Sequence, residues 1–181
     1  DFHKIENMYI DDPEGRPAGL FGILYHNAVI KNLSVTDAYV ISPGTHAGVA
    51  ILASEVERYA NNVYISQCHT SGLVGDPEGQ LGLGTASAIV NEIALEGDNW
   101  ILNCSSSADV YSRENPSAVT HQNGVGGTDT IGNFLFTGTL THRSIVTGAG
   151  PWEPMHQGYY VVSTNGYYDS DKYQRYTNAQ T

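Results

Sequence analysis

The stretch AGLFGILYHNAVIKNLSV, Ala18 to Val35, decides the fold. A Gly-apolar-apolar-Gly unit, Gly19 to Gly22, stands a few residues ahead of an alternating apolar run that holds Ile30 and Asn32. Such a unit is either a loop that cradles a ligand or a repeated piece of architecture. Recurrence elsewhere in the chain separates the two.

The pattern recurs. Six segments align without gaps: IENMYI from Ile5, IKNLSV from Ile30, ISQCHT from Ile65, ILNCSS from Ile101, IGNFLF from Ile131 and a degenerate STNGYY from Ser163. Their first residues are separated, by subtraction, by 25, 35, 36, 30 and 32 positions, a spread that suits coils joined by variable loops. The third position is always an amide: Asn7, Asn32, Gln67, Asn103, Asn133 and Asn165. A strand that returns with like side chains at like depth is the mark of a parallel β-solenoid, in which each coil lies on the one before and like stacks on like. The spacing therefore predicts an all-β, parallel β-solenoid of about five to six coils, occupying residues 1–181 as a single domain. Ile5, Ile30, Ile65, Ile101 and Ile131 form its interior row, and the amides form a ladder, inward or at a corner. Gly19 and Gly22 read as a corner with freedom for φ > 0 or close backbone approach. Ile51 to Val63 has helical periodicity and is expected as a short helical insertion over one face. Thr85 to Asn99 leans to strand through its β-branched residues.

Composition limits the partners. Eight Lys and Arg face 19 Asp and Glu, a net charge of −11, and no basic cluster offsets it, so nucleic acid and anionic membranes meet a repelling field. Charged residues are only 15% of the chain, below the roughly 25% of an average domain, while Gly and Tyr are abundant. That balance suits a turn-rich extracytoplasmic protein. Membrane insertion is not expected, since no apolar run approaches about 18 residues. The absence of a signal peptide before Asp1 reads as a mature or excised piece.

With the repeat in place, GLFGILYHNAVIKNLSV resembles the GLUG motif, a Gly-Leu-apolar-Gly signature followed by an I-x-N-L strand. HKIENMYIDDPEGRPAGLFG resembles the lead-in to such a corner, and STNGYYDSDKYQ resembles the segment that closes GLUG arrays, although Gly166 stands where that pattern carries Cys. Coils three and four depart from it, with AGVAIL and GLGTAS in place of GLFG. The resemblance implies a right-handed β-helix in a secreted or cell-surface bacterial protein, and no particular reaction.

Chemistry-bearing residues are scattered. The sequons at Asn32 and Asn103 fall on ladder positions, which disfavours glycan acceptance. Cys68 and Cys104 occupy one rung of consecutive coils, where parallel strands about 4.8 Å apart allow either a disulfide or two stacked thiols. GLGTAS, Gly82 to Ser87, lacks the helix and downstream acid of a nucleotide loop. The seven His show no HExxH spacing. His121 and His156 stand near coil corners and are kept as binding candidates. Asp11, Asp12, Asp98, Asp109 and Asp129 offer carboxylates without a fixed pair, and His142–Arg143 is the one adjacent basic pair of a late coil. Asp169 and Asp171 are the calcium candidates in a chain that otherwise implies no cofactor. Trp152, Tyr159, Tyr160, Tyr167 and Tyr168 crowd the end, suited to sugar faces or to a cap over the open solenoid. The expectation is a non-catalytic adhesion or carbohydrate-contacting module with a glycan or host-surface ligand. Its rivals are a glycan-cleaving lyase or hydrolase, whose catalytic residues the sequence does not assign, and a plain spacer.

Overall fold

The computed structural model describes residues 2–42, 48–77, 85–93, 98–112, 116–120, 128–143, 152–157, 160–162 and 166–167. They are all β, with no helix among them. The chain opens with β1 (His3–Glu6) and β2 (Tyr9–Asp11). Three successive turns follow: β3 (Phe21–Leu24), β4 (Val29–Lys31) and β5 (Leu33–Ile41); then β6 (Gly48–Ala50), β7 (Ala53–Val56), β8 (Tyr64–Ser66) and β9 (His69–Gly75); then β10 (Thr85–Ser87), β11 (Val90–Glu92), β12 (Asp98–Leu102), β13 (Ser105–Ser106) and β14 (Asp109–Ser112). β15 (Thr128–Gly132), β16 (Phe134–Phe136) and β17 (Thr139–Arg143) continue two of the faces. Within these elements each strand pairs in parallel with its counterpart one turn away, forming a β-solenoid of about three turns.

The register follows the isoleucines. Ile30 lies beside Ile65, Ile65 beside Ile101 and Ile101 beside Ile131, all four buried. Each row of such side chains removes an aliphatic surface worth roughly 1.5–3 kcal/mol per residue from water. The next residue but one is the amide, and it holds a left-handed backbone at every turn: Asn32 at φ 55°, Gln67 at 52°, Asn103 at 54° and Asn133 at 51°. One such residue carries the chain from β4 to β5, so the corner is a single residue long. Asn is the side-chain-bearing residue that tolerates this conformation best. The backbone ladder runs through the corner, since the N–H groups of Asn32, Gln67 and Asn103 donate to the carbonyls of Ser66, Leu102 and Gly132. Apart from half-buried Asn32, these amides are exposed.

Several expectations change. Ile5 does not join the Ile30 row. It pairs with Val35, placing Asn7 in register with Asp37, both again left-handed, so IENMYI stacks on VTDAYV rather than on IKNLSV. At the other end, β18 (Trp152–Gln157), β19 (Tyr160–Val162) and β20 (Gly166–Tyr167) run antiparallel to β17, β16 and β15. Neither flank of the six-segment alignment is therefore a further turn in phase with the Ile30 row. The count of five to six coils gives way to about three turns, with the final strands folded back along the edges of the last one.

The helical insertion over Ile51–Val63 is also corrected, because β7 occupies Ala53–Val56. Its apolar spacing comes from corners. Ile51 and Leu52 bury at a bend, Val56 ends the strand, and Ala60 and Val63 bury at the next turn. Backbone N–H groups at both ends of the strand reach neighbouring turns, from Leu52 to the Ile89 carbonyl and from Glu57 to the Leu24 carbonyl, where a helix would bond within itself; the one local bond, Ala60 N–H to the Glu57 carbonyl, is a turn.

Of the two motif glycines, Gly19 is a close approach: a Cβ there would stand 2.8 Å from the Ala50 carbonyl oxygen. Gly22 is instead an exposed position inside β3 with nothing within 4 Å of a Cβ.

Candidate carbohydrate-contact face

The face built from β4, β8, β12 and β15 is narrow, its strands three to five residues long and each ending at a single left-handed residue. Ile30, Ile65, Ile101 and Ile131 point in, so their neighbours point out. The outward column on one side is Val29, Tyr64, Trp100 and Thr130, in register from turn to turn. Tyr64 and Trp100 meet with ring centroids 6.0 Å apart and planes inclined by 37°. Val29 is 60% exposed and Tyr64 37%. The column beside it is Lys31, Ser66, Leu102 and Gly132.

Amides border this strip on both sides. One border is the Asn32, Gln67, Asn103 and Asn133 corner, where Asn133 Nδ2 donates to Asn103 Oδ1 at 2.9 Å. The other is a second left-handed corner, Asn27 and Asn62, both at φ 61°. Here Asn62 Nδ2 donates to Asn27 Oδ1 at 3.3 Å, and the Asn61 N–H donates to His26 Nδ1 at 2.9 Å. Next to it the buried Asn99 accepts from the Val63 N–H at 3.1 Å. The sequence reading missed this second corner. Its signal is plain once the isoleucines are aligned, since Asn27, Asn62 and Asp98 each stand three residues before one.

Other surface groups are differently arranged. Tyr9 and Tyr39 close on each other with centroids 5.1 Å apart and planes 5° from parallel, and Tyr9 Oη reaches Asp11 Oδ2 at 3.3 Å. His69 is half-buried with Nδ1 2.9 Å from Ser105 Oγ, and burial lowers its pKa. On the face of β3, β7 and β11, Ile23, Glu55 and Glu92 share one column. Glu55 is held above the ordinary carboxylate range by partial burial, then by the charges of Glu92 and Glu57. Cys68 and Cys104 are buried free thiols on one rung, and hydrogen bonding with Cys68 together with burial pushes the Cys104 thiol up.

The sequence-named site residues are only partly brought together. Tyr167 lies in register opposite Thr130, at the end of the Val29–Tyr64–Trp100–Thr130 column. Trp152 pairs opposite Arg143, His156 opposite Leu140, and Tyr160 opposite Phe136, on the other large face. His121, Tyr159, Tyr168, Asp169 and Asp171 lie outside the described residues. Among the acids, Asp12 is engaged by Arg16 Nε at 2.8 Å, which with the Glu14 N–H holds its pKa below the usual range. Asp109 accepts from Thr139 Oγ1 at 2.5 Å. No group of three His, Cys, Asp or Glu placed to hold a metal ion occurs among the described residues.

Compared with protein-family models, with curated proteins and with solved structures, the chain matches none.

Proposed function

We propose that the chain is a non-catalytic module of a secreted or cell-surface bacterial protein that contacts carbohydrate or a host-surface glycan through the outside of a right-handed β-helix. One observation carries this reading: two aromatic rings in register on adjacent turns, Tyr64 and Trp100, with exposed amides along both borders. Aromatic faces cover the apolar side of a sugar ring, and amides supply both donors and acceptors to its hydroxyls. The resemblance of Ala18–Val35 to GLUG repeats supports the extracytoplasmic setting. A screen of soluble polysaccharides by affinity gel electrophoresis tests the reading. Retardation by at least one glycan is the expected result, and migration unchanged in all of them overturns the carbohydrate-contact reading.

A glycan-cleaving enzyme is the second reading, and the Glu55–Glu92 column favours it. Two carboxyls on adjacent turns, one with a raised pKa, are the ingredients of a general acid and its partner. The pair lies on a sheet face beside Ile23, and no His or Arg in register with it is described. For that reason the binding module is preferred.

A further inference from the structure

The strip on β4, β8 and β12 has features that select among glycans. We propose that its ligand is an internal stretch of an extended, uncharged polysaccharide chain, lying along the solenoid axis over Tyr64 and Trp100; this rests on the carbohydrate reading above.

Direction comes from the register. Val29, Tyr64 and Trp100 repeat at the same position of successive turns, so the apolar track runs along the axis with a step of about 4.8 Å. The column continues through Thr130 to the register position of Tyr167, so among the described residues the track runs across every strand of this sheet. A track of this kind receives a chain passing over it rather than a chain end.

Ring geometry points the same way. Tyr9 and Tyr39 are stacked flat on each other, so each spends a face on its neighbour. Tyr64 and Trp100, farther apart and inclined by 37°, are not closed on one another in this manner and keep ring surface for a ligand.

Charge decides the class. The strip carries one cation, Lys31, and Asp98 opens β12 at its border, within a chain of net charge −11. A uronate or sulfated polymer brings repeated negative charge along its length and meets a single ammonium in a repelling field. A neutral chain meets no such penalty. Its hydroxyls find Gln67, Asn103 and Asn133 on one side and Asn27 and Asn62 on the other. Among the described residues, the Asn133–Asn103 and Asn62–Asn27 ladder bonds each use one N–H and one oxygen, out of the two N–H groups and one oxygen that every amide carries.

The test is affinity gel electrophoresis of the full chain in hydroxyethylcellulose and mixed-linkage β-glucan as neutral extended polymers, against polygalacturonate as the charged one. The proteins are wild type, Tyr64→Ala, Trp100→Ala, Trp100→Phe and the control Tyr59→Ala, whose exposed ring packs with Arg58 instead. The expected result is retardation of wild type in a neutral polymer. Affinity should fall about tenfold or more in Tyr64→Ala and Trp100→Ala, with Trp100→Phe within a few-fold of wild type and Tyr59→Ala unchanged. Should Trp100→Ala fail to fold, as judged by thermal unfolding, Tyr64→Ala read against Trp100→Phe still decides. Neutral binding that survives both alanine variants overturns this site while leaving the carbohydrate reading intact. Stronger retardation in polygalacturonate overturns the neutral class. No retardation in any polymer removes the carbohydrate reading itself.

Discussion

Asn133 donates from Nδ2 to Oδ1 of Asn103 at 2.9 Å while both residues hold left-handed backbone, at φ 51° and 54°. The same side chain thus does two things, tolerating the corner and tying it to the adjacent turn. Two substitutions separate them. Asn103→Gly keeps the conformation and loses the ladder bond, for an expected cost of about 1 kcal/mol. Asn103→Val also puts a β-branched residue into left-handed backbone, adding roughly 1–3 kcal/mol. Denaturant unfolding of the two variants should rank them in that order; equal costs would mean that the amide alone matters.

Gly75 and Gly22 make opposite predictions for the same substitution. At Gly75, φ is +94° and a Cβ would stand 1.7 Å from the Tyr111 carbonyl oxygen, so Gly75→Ala should cost about 3 kcal/mol or more. Gly22 lies in β3 with open space around it, and Gly22→Ala should be neutral or stabilise by up to about 0.5–1 kcal/mol. Thermal unfolding midpoints check both. A large loss at Gly22 would restore it as a corner.

Thr70 Oγ1 donates to the Ala88 carbonyl at 3.0 Å and lies 2.8 Å from Ser106 Oγ, all of it buried. Thr70→Val keeps the shape and leaves the carbonyl and the hydroxyl each one partner short, for about 1–3 kcal/mol. Adding Ser106→Ala should cost less than the sum of the two single changes, which a double-mutant cycle measures.

Glu55 gives a pH dependence of known sign. Its pKa is raised in the folded chain, so the folded state keeps that proton to higher pH than the unfolded one. Its contribution to stability therefore falls as pH rises from the ordinary carboxylate value through the folded value, and stays level above it. Glu55→Gln should raise stability at pH 7 by about 0.2–1 kcal/mol, the scale of a like-charge pair across strands. On the acid side of the carboxylate range the gain should disappear. An unchanged gain at both ends would mean that packing, not charge, is responsible.

How much of this was legible in the sequence depends on which signal each residue carries. The Ile30, Ile65, Ile101 and Ile131 row could be read directly, because one strand and one corner keep a fixed length at every turn. IENMYI fits IKNLSV by its Ile and Asn, yet it fits VTDAYV better, with Tyr9 on Tyr39 and Ile10 on Val40, and two similar corners in one turn make that choice ambiguous. Ile51–Val63 imitates a helix because two bends and a short strand happen to bury residues three and four apart. The aromatic column was only half visible. Tyr167 drew attention as one of a crowd, whereas Tyr64 and Trp100 stand alone in sequence and become a pair only through the register. Glu55 and Glu92 were hidden likewise, Glu55 by lying inside the segment with helical spacing.

In the proposed function the solenoid holds a glycan and performs no reaction on it. Incubating the protein with the polysaccharides that retard it, and assaying both bound protein and newly formed reducing or unsaturated ends, tests this most directly. Saturable binding with no ends above the buffer control is the expected result. Ends that accumulate with time and vanish in Glu55→Gln would contradict it and make the Glu55–Glu92 column a catalytic pair.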